Sequence, residues 1–172
     1  MSALTNFLAR GVVALANSAS KLQSLQLRLL AGEVKDQVEH LEPYGFTACP
    51  HDGAEALAGF IGGDRSHGVV IVVSDRRYRL VGMKPGEVAI YTDEGDKVHF
   101  KRGRIIDIET QTLNIKATVG VNFDTPKITQ TGSIVSEGDQ VAGGVSQINH
   151  PHENVQKGTD QSGPPVPAGG DS

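Results

Sequence analysis

The residues best suited to chemistry are His150 and His152, which flank Pro151. In an extended strand, side chains two positions apart point to the same face, so both imidazoles would project together and Pro151 the other way. Neutral imidazole is a good ligand for iron, nickel, copper and zinc. The spacing therefore indicates a metal site, although solvated histidines in a proline-containing loop are the alternative that the motif alone leaves open.

One chain supplies two imidazoles at this place, too few to hold a transition metal ion. Three copies around a three-fold axis would supply six, which is enough for an octahedral shell. Six-fold coordination argues against zinc, and a filled shell leaves no open position at which water could be activated. The ion that we predict at His150 and His152 is therefore structural.

Other candidates for chemistry are weaker. The clusters at 75–79 and 101–104 are basic, but nearby carboxylates favour a solvated rim over a nucleic-acid face. The glycines at 59–63 lack the Lys-Ser/Thr of a phosphate loop. We predict no enzyme: a metal-dependent hydrolase would need a third ligand and an acid or base beside the histidine pair. The remaining histidines are scattered singly and are not expected to bind metal: His40, His51, His67 and His99.

The middle of the chain has the pattern of a small β-domain. Short runs of strand-forming residues alternate with turn signals at 43–45, 62–64, 84–86 and 93–96. This rhythm fits a closed barrel of the OB type. The predicted strands are 25–33, 45–48, 56–61, 69–73, 87–91 and 97–101.

The first residues have leucines and other apolar residues at helical spacing, so we predict one or two short helices there. They would pack on their own domain or dock a partner. From Ile106 onwards, apolar residues instead alternate with small or polar ones as far as Phe123. Such a strand cannot bury its apolar face or pair its backbone alone. Two interpretations remain: a hairpin sheet packed on the barrel, or a triple-stranded β-helix shared by three chains.

Composition supports burial between chains. Hydrophobic residues make up 38% of the 172 residues, aromatic residues 5%, and tryptophan is absent, which is lean for a monomeric core. The formal net charge of −4 does not favour nucleic-acid binding. The single Cys49 excludes an intrachain disulfide. Neither a secretory signal nor a membrane-spanning stretch is expected, so we predict synthesis in the cytoplasm.

Two sets of residues resemble the Mu-type spike proteins of contractile-tail phages. The middle region is similar to the N-terminal domain of these spikes over 28–34, 42–46, 62–70 and 84–88. The C-terminal region carries the spacing His-x-His, Val-Gln-x-Gly and Ser-Gly-Pro-Pro in the strings His150-Pro151-His152-Glu153-Asn154-Val155-Gln156-Lys157-Gly158 and Ser162-Gly163-Pro164-Pro165. The resemblance covers about 25–165. The residue between the histidines departs from many relatives, because Pro151 cannot donate to a β-ladder.

The resemblance implies an all-β homotrimer with an OB-fold barrel, an intertwined triple-stranded β-helix and a sharp apex. The predicted parts are an N-terminal helical segment (1–24), the OB-fold domain (25–105), the β-helix (106–145) and the apex with its tail (146–172). At the apex, His150 and His152 of three chains would hold one iron ion. Further ions such as calcium or chloride are expected nearby, with Asp139 and Asp160 as candidate ligands.

The function that the resemblance implies is mechanical. The spike would sit at the baseplate tip of the virion, dock on a tail hub or tube protein, and pierce the host outer membrane when the tail contracts. Neither nucleic acid nor a small-molecule substrate is expected as a partner. The alternative is a monomeric OB-fold module that binds nucleic acid and carries a disordered C-terminal tail.

Overall fold

The computed structural model describes residues 7–154 and 158–159. The chain divides into two compact units, Met1–Lys116 and Ala117–Ser172. The described residues form ten β-strands and two short 3-10 turns and contain no α-helix, which confirms the predicted all-β class. Within these residues, no helix has the length and apolar character needed to cross a bilayer.

The first five strands close into a barrel. They are β1 (Leu8–Asn17), β2 (Ser24–Leu29), β3 (Val34–His40), β4 (Glu55–Phe60) and β5 (Gly68–Ser74). Their order around the barrel is β1-β2-β3-β5-β4, and β4 pairs back to β1. The β3–β5 pair is parallel and the others are antiparallel. This arrangement is an OB-like barrel and confirms the predicted closed barrel.

The barrel interior is filled by alternate residues of its strands. In β4, for example, Ala56, Ala58 and Phe60 are buried. Alternation of this kind is what a barrel strand requires, because its neighbouring side chains point to opposite faces. The buried core consists of Val13, Leu25, Leu27, Leu29, Val38, Ala54, Ala56, Ala58, Phe60 and Val70.

The predicted N-terminal helix is wrong. Leu8–Asn17 is a strand that pairs with both β2 and β4, so the barrel begins at Leu8 and not at residue 25. Gly11 lets β1 approach β2 closely, since a Cβ there would lie 2.6 Å from the main-chain oxygen of Arg28. The adjacent β-branched pair Val12 and Val13 also favours a strand. Residues 1–6 lie outside the described residues.

Two of the predicted barrel strands also need correction. The strand expected at 45–48 is absent from the described chain: a turn forms there, with Gly45 at φ 87° and the Phe46 N–H donating to the Pro43 carbonyl. The strand expected at 25–33 ends at Leu29, where a 3-10 turn (Leu30–Gly32) begins.

A second sheet follows the barrel. Its strands are β6 (Val88–Tyr91), β7 (Lys97–Lys101) and β8 (Ile105–Glu109), joined in sequence order as an antiparallel meander. The strands predicted at 87–91 and 97–101 are therefore present. They do not belong to the barrel, whose last strand ends at Ser74.

The following residues are extended but unpaired within one chain. From 110 to 140 the described chain has no strand pairing, and bends at 118–119, 125–126, 131–132 and 137–138 separate short extended runs. Side chains stabilise several of these bends, as where Ser136 Oγ donates to the Gly138 carbonyl at 2.8 Å. A short hairpin of β9 (Val141–Ala142) and β10 (Val145–Ser146) then leads to the two histidines.

Candidate metal site and assembly surface

The β9–β10 hairpin positions the predicted metal ligands. Its two-residue loop is Gly143-Gly144, and both glycines have positive φ, 58° and 82°, as the tight hairpin turns of β-sheets require. The chain then bends through 147–149 and reaches His150 outside any strand. This irregular backbone is compatible with Pro151, which has no N–H to donate.

The imidazoles of His150 and His152 lie side by side. Their ring centroids are 4.8 Å apart and the ring planes are inclined by 70°. Both side chains are exposed. The backbone there is not a strand, so the extended geometry predicted for His150 and His152 is wrong, although the two rings lie close together.

The donor set fits a shared metal ion better than a site within one chain. Among the described residues, no group of three or more His, Cys, Asp or Glu side chains converges as a metal site would need. His150 Nδ1 lies 2.7 Å from the main-chain oxygen of Ser146. A carbonyl oxygen only accepts, so in the neutral ring Nδ1 carries the proton and Nε2 is the nitrogen that could bind a metal. Metal-binding histidines are commonly held in this way.

The other histidines are engaged separately within the barrel and the second sheet. His40 is buried against Gln23, with Nδ1 3.2 Å from Oε1. His51 Nε2 lies 3.1 Å from Asp93, and His67 lies 3.8 Å from Asp64. His99 Nε2 is buried 3.4 Å from Glu87 without a hydrogen-bond partner in the described structure. These contacts are pairwise, and the expectation that these histidines are not metal ligands stays a prediction.

Of the two acidic residues predicted as further ligands, Asp139 lies within the described residues and Asp160 does not. The carboxylate of Asp139 is turned into its own hairpin, where Oδ1 accepts the Ile148 N–H at 3.2 Å. Hydrogen bonds from the Ser146 side chain and then from backbone amides hold the pKa of Asp139 below its usual range. Asp160 lies outside the described residues. Ion binding by either residue stays a prediction.

Half of the basic residues in the two clusters are paired with carboxylates: among the described residues, ion pairs form at Arg76, Arg77 and Lys101 but not at Arg79, Arg102 and Arg104. Arg77 forms two hydrogen bonds with Asp75, which lowers the pKa of that carboxyl, and Lys101 pairs with Asp107. A groove that binds single-stranded nucleic acid needs free cations along its length. The ion pairs reduce the free positive charge of these clusters, and the solvated rim stays a prediction.

The second sheet has one wholly apolar face. Paired residues of antiparallel strands point to the same side, and Val88 pairs with Phe100, which pairs in turn with Ile106. The next row repeats the pattern with equally apolar residues. Apart from the half-buried Val98, the side chains of this face are exposed in a single chain: Val88, Ile90, Phe100, Ile106 and Ile108. We call these six residues the apolar sheet face.

The opposite face of the same sheet is mostly polar. Lys97 and Glu109 are directly paired across β7 and β8, and their charged groups are 2.6 Å apart. An antiparallel sheet with one apolar and one charged face commonly packs its apolar face against other protein and leaves the charged face in water. The sequence indicated the β8 part of this face through Ile106 and Ile108, but not the β6 and β7 parts, because those strands were assigned to the barrel.

Comparison with known proteins assigns the family. The family model for the N-terminal part of bacteriophage Mu Gp45 matches residues 10–77, almost the whole barrel. A protein of Haemophilus influenzae (strain ATCC 51907 / DSM 11121 / KW20 / Rd), the Mu-like prophage FluMu protein gp45, is 37% identical over 170 residues. That match covers 92% of this chain and 89% of the relative. The chain belongs to the Mu gp45 family. This confirms the resemblance to Mu-type spikes.

A second member of the gp45 family is the baseplate puncturing device gp45 of Escherichia phage Mu. It is 42% identical over 128 residues, which make up 74% of this chain. The match spans 64% of the phage Mu protein. The name of that relative describes a structural device and no catalysis, which supports the prediction that this gp45 family protein is not an enzyme.

Proposed function

We propose that this protein is a homotrimeric spike at the baseplate tip of a contractile phage tail, where it pierces the host outer membrane. The observation that carries the proposal is the apolar sheet face, which a single chain leaves in water. The name of the phage Mu relative, a baseplate puncturing device, supports a role in the virion. The chain itself would be made in the host cytoplasm before the tail assembles.

The apolar sheet face is the start of the trimer axis. Exposed apolar patches of this kind mark interaction surfaces in soluble proteins. Covering a half-exposed Val, Ile or Phe contributes on the order of 1 kcal/mol for each side chain. Three chains that turn these faces toward one axis bury all of them at once, and the charged faces remain in solvent.

The extended chain from 110 to 140 continues this axis. Its short runs and regular bends suit three chains that wind around one another, each run pairing with a neighbouring chain. Backbone groups that have no partner within one chain gain partners in this way. The intertwined β-helix also buries alternate apolar residues that are exposed in one chain: Leu113, Ile115, Val119, Val121 and Phe123.

At the apex, His150 and His152 of three chains would hold one iron ion. The ion supplies a cross-link between three chains at a place too thin for a hydrophobic core. Structural metal sites in small domains contribute about 10–16 kcal/mol. Further ions such as calcium or chloride would lie near the same axis. The barrel end would dock on a hub or tube protein and transmit the force of contraction.

The proposal is tested with phage particles that lack their own spike and are supplied with this chain. Particles carrying the wild-type chain should admit into host cells a fluorescent probe that the outer membrane normally excludes. Particles with His150→Ala and His152→Ala together should adsorb and contract equally well but admit less probe. Equal probe uptake by contracted particles with and without the chain would contradict a piercing role.

A further inference from the structure

The hairpin that precedes the histidines is closed by side chains at its open end. Gln147 N–H donates to the Gln140 carbonyl at 2.9 Å, which extends the β9–β10 ladder by one pair. Beyond that pair, Asp139 Oδ1 accepts the Ile148 N–H at 3.2 Å. The carboxylate thus ties the strand that enters the hairpin to the strand that leaves it.

Ser146 links this closure to His150. The Ser146 side chain is the largest of the influences that lower the pKa of Asp139. Its hydroxyl oxygen accepts the Asn149 N–H at 2.8 Å. The main-chain oxygen of Ser146 accepts the Nδ1 proton of His150 at 2.7 Å. The hydrogen bonds of Asp139 to Ile148, of Ser146 to Asn149 and of Ser146 to His150 therefore all hold the short segment 146–150 that carries His150.

We propose that Asp139 and Ser146 are positioning residues that fix the tautomer and direction of the His150 imidazole before a metal ion arrives. This inference rests on the proposed function, since it takes His150 and His152 as ligands of a shared ion. With Nδ1–H held by Ser146, Nε2 is the nitrogen left to bind metal. His152 has no side-chain hydrogen bond among the described residues, so the preparation is specific to His150.

Ordering the His150 imidazole in one tautomer and one rotamer costs free energy when a metal ion binds. A free imidazole exchanges between two tautomers and several rotamers, and metal binding must select one of them. A hairpin that makes this selection in advance lowers that cost. Residues that orient metal ligands from behind typically contribute 10–100-fold in metal affinity. We expect an effect of this size from Asp139, which holds the Ile148 amide in place between Ser146 and His150.

The test compares full-length chains with Asp139→Ala and Asp139→Asn, and with Glu137→Ala as the matched control. Glu137 is an exposed acidic residue two positions from Asp139. Metal-free protein is loaded with ferrous iron, and the bound iron is titrated with a competing chelator. Asp139→Ala should weaken iron retention about 10–100-fold. Asp139→Asn should lose less, because its side-chain oxygen still accepts from Ile148, and Glu137→Ala should match the wild type.

A second measurement does not depend on the metal. Nitrogen-15 shifts of the His150 ring in metal-free protein at alkaline pH should show Nδ1 protonated in the wild type and a mixture of tautomers in Asp139→Ala. Iron retention in Asp139→Ala within twofold of the wild type would overturn the inference, as would Nε2–H in wild-type His150. If the wild type binds no iron but shows the Nδ1–H tautomer, the metal part of the proposed function fails and the positioning of His150 stands.

Discussion

Val88 lies directly opposite Phe100 in the β6–β7 ladder, and the two side chains are 60% and 44% exposed. In a protein that acts as a monomer, such a pair would be packed against its own domain. Here it belongs to a continuous apolar face that carries on through Ile106 of β8. The pair therefore gives the most sensitive position at which to test self-association.

Phe100→Glu should break the trimer into single chains, because three carboxylates would be forced together at the axis without partners. The mass in solution, measured by light scattering, reports the change. Phe100→Leu is the matched control and should remain trimeric, since it keeps an apolar side chain at the same place. The circular dichroism of the barrel should be retained in both variants, because the buried barrel core does not include Phe100. A trimeric Phe100→Glu protein would rule out the apolar sheet face as the interface.

Elemental analysis should find one iron ion for every three chains, and His152→Ala should remove it. Ligating imidazoles must be neutral, so acid should release the ion from the wild-type protein as well. His67→Ala serves as the control, since that histidine lies in the barrel beside Asp64 and not at the apex. A metal-free wild-type trimer, purified without chelator, would count against the site.

The stability of the barrel should depend on pH through Glu33. Hydrogen bonds from Arg65 first, and then from Lys35, lower the pKa of Glu33 below its ordinary value of 4.5. A lowered pKa in the folded state means that the charged pair stabilises the fold above pH 4.5. That contribution is lost as the pH falls below 4.5 and through the lowered value.

Glu33→Gln should therefore lower the unfolding midpoint at pH 7, and the difference from the wild type should shrink as the pH falls below 4.5. Thermal unfolding at several pH values measures this. The guanidinium carbon of Arg65 also lies 4.4 Å from the centroid of the buried Phe60 ring, so the ion pair lies against the barrel core. A difference that is constant from pH 7 to pH 3 would show that the ion pair is not its cause.

Gly11→Ala should destabilise the barrel by about 1–3 kcal/mol, the usual cost of forcing an extra carbon into a packed site. The new Cβ would lie 2.6 Å from the Arg28 main-chain oxygen, which cannot move without disturbing the β1–β2 ladder. Gly59→Ala is a milder control, since its Cβ would meet the end of the Ile71 side chain at 3.1 Å. Chemical denaturation should place Gly11→Ala clearly below Gly59→Ala, and the reverse order would contradict the close approach of β1 to β2.

Three of the five barrel strands, β2, β4 and β5, were predictable from local signals, but β1 and β3 were not. The segments that form β4 and β5 are short, apolar and bounded by glycine turns, so each can be recognised as a strand from its local sequence. In β1, Leu8, Val12 and Leu15 happen to fall at helical spacing. The strand is selected by tertiary pairing with β4, whose partner residues lie more than forty positions away, as in Leu8 with Gly59.

The candidate site was likewise predictable only in part. The two histidines could be picked out from their spacing, but the irregular backbone that brings their rings together could not. The role of Ser146 could not be foreseen, because its contact with His150 uses a main-chain oxygen that any residue type would supply. The apolar face at Val88 and Ile90 was hidden by their assignment to the barrel, where inward-facing residues of the same type are expected.

In the proposed assembly, three copies of the chain close around the apolar sheet face. Light scattering on the purified full-length protein, coupled to size-exclusion chromatography, measures the mass without reference to shape. Since one chain has a mass of 18.2 kDa, the trimer should appear at about 55 kDa and keep that mass on dilution. A mass of 18.2 kDa at all concentrations would contradict the spike.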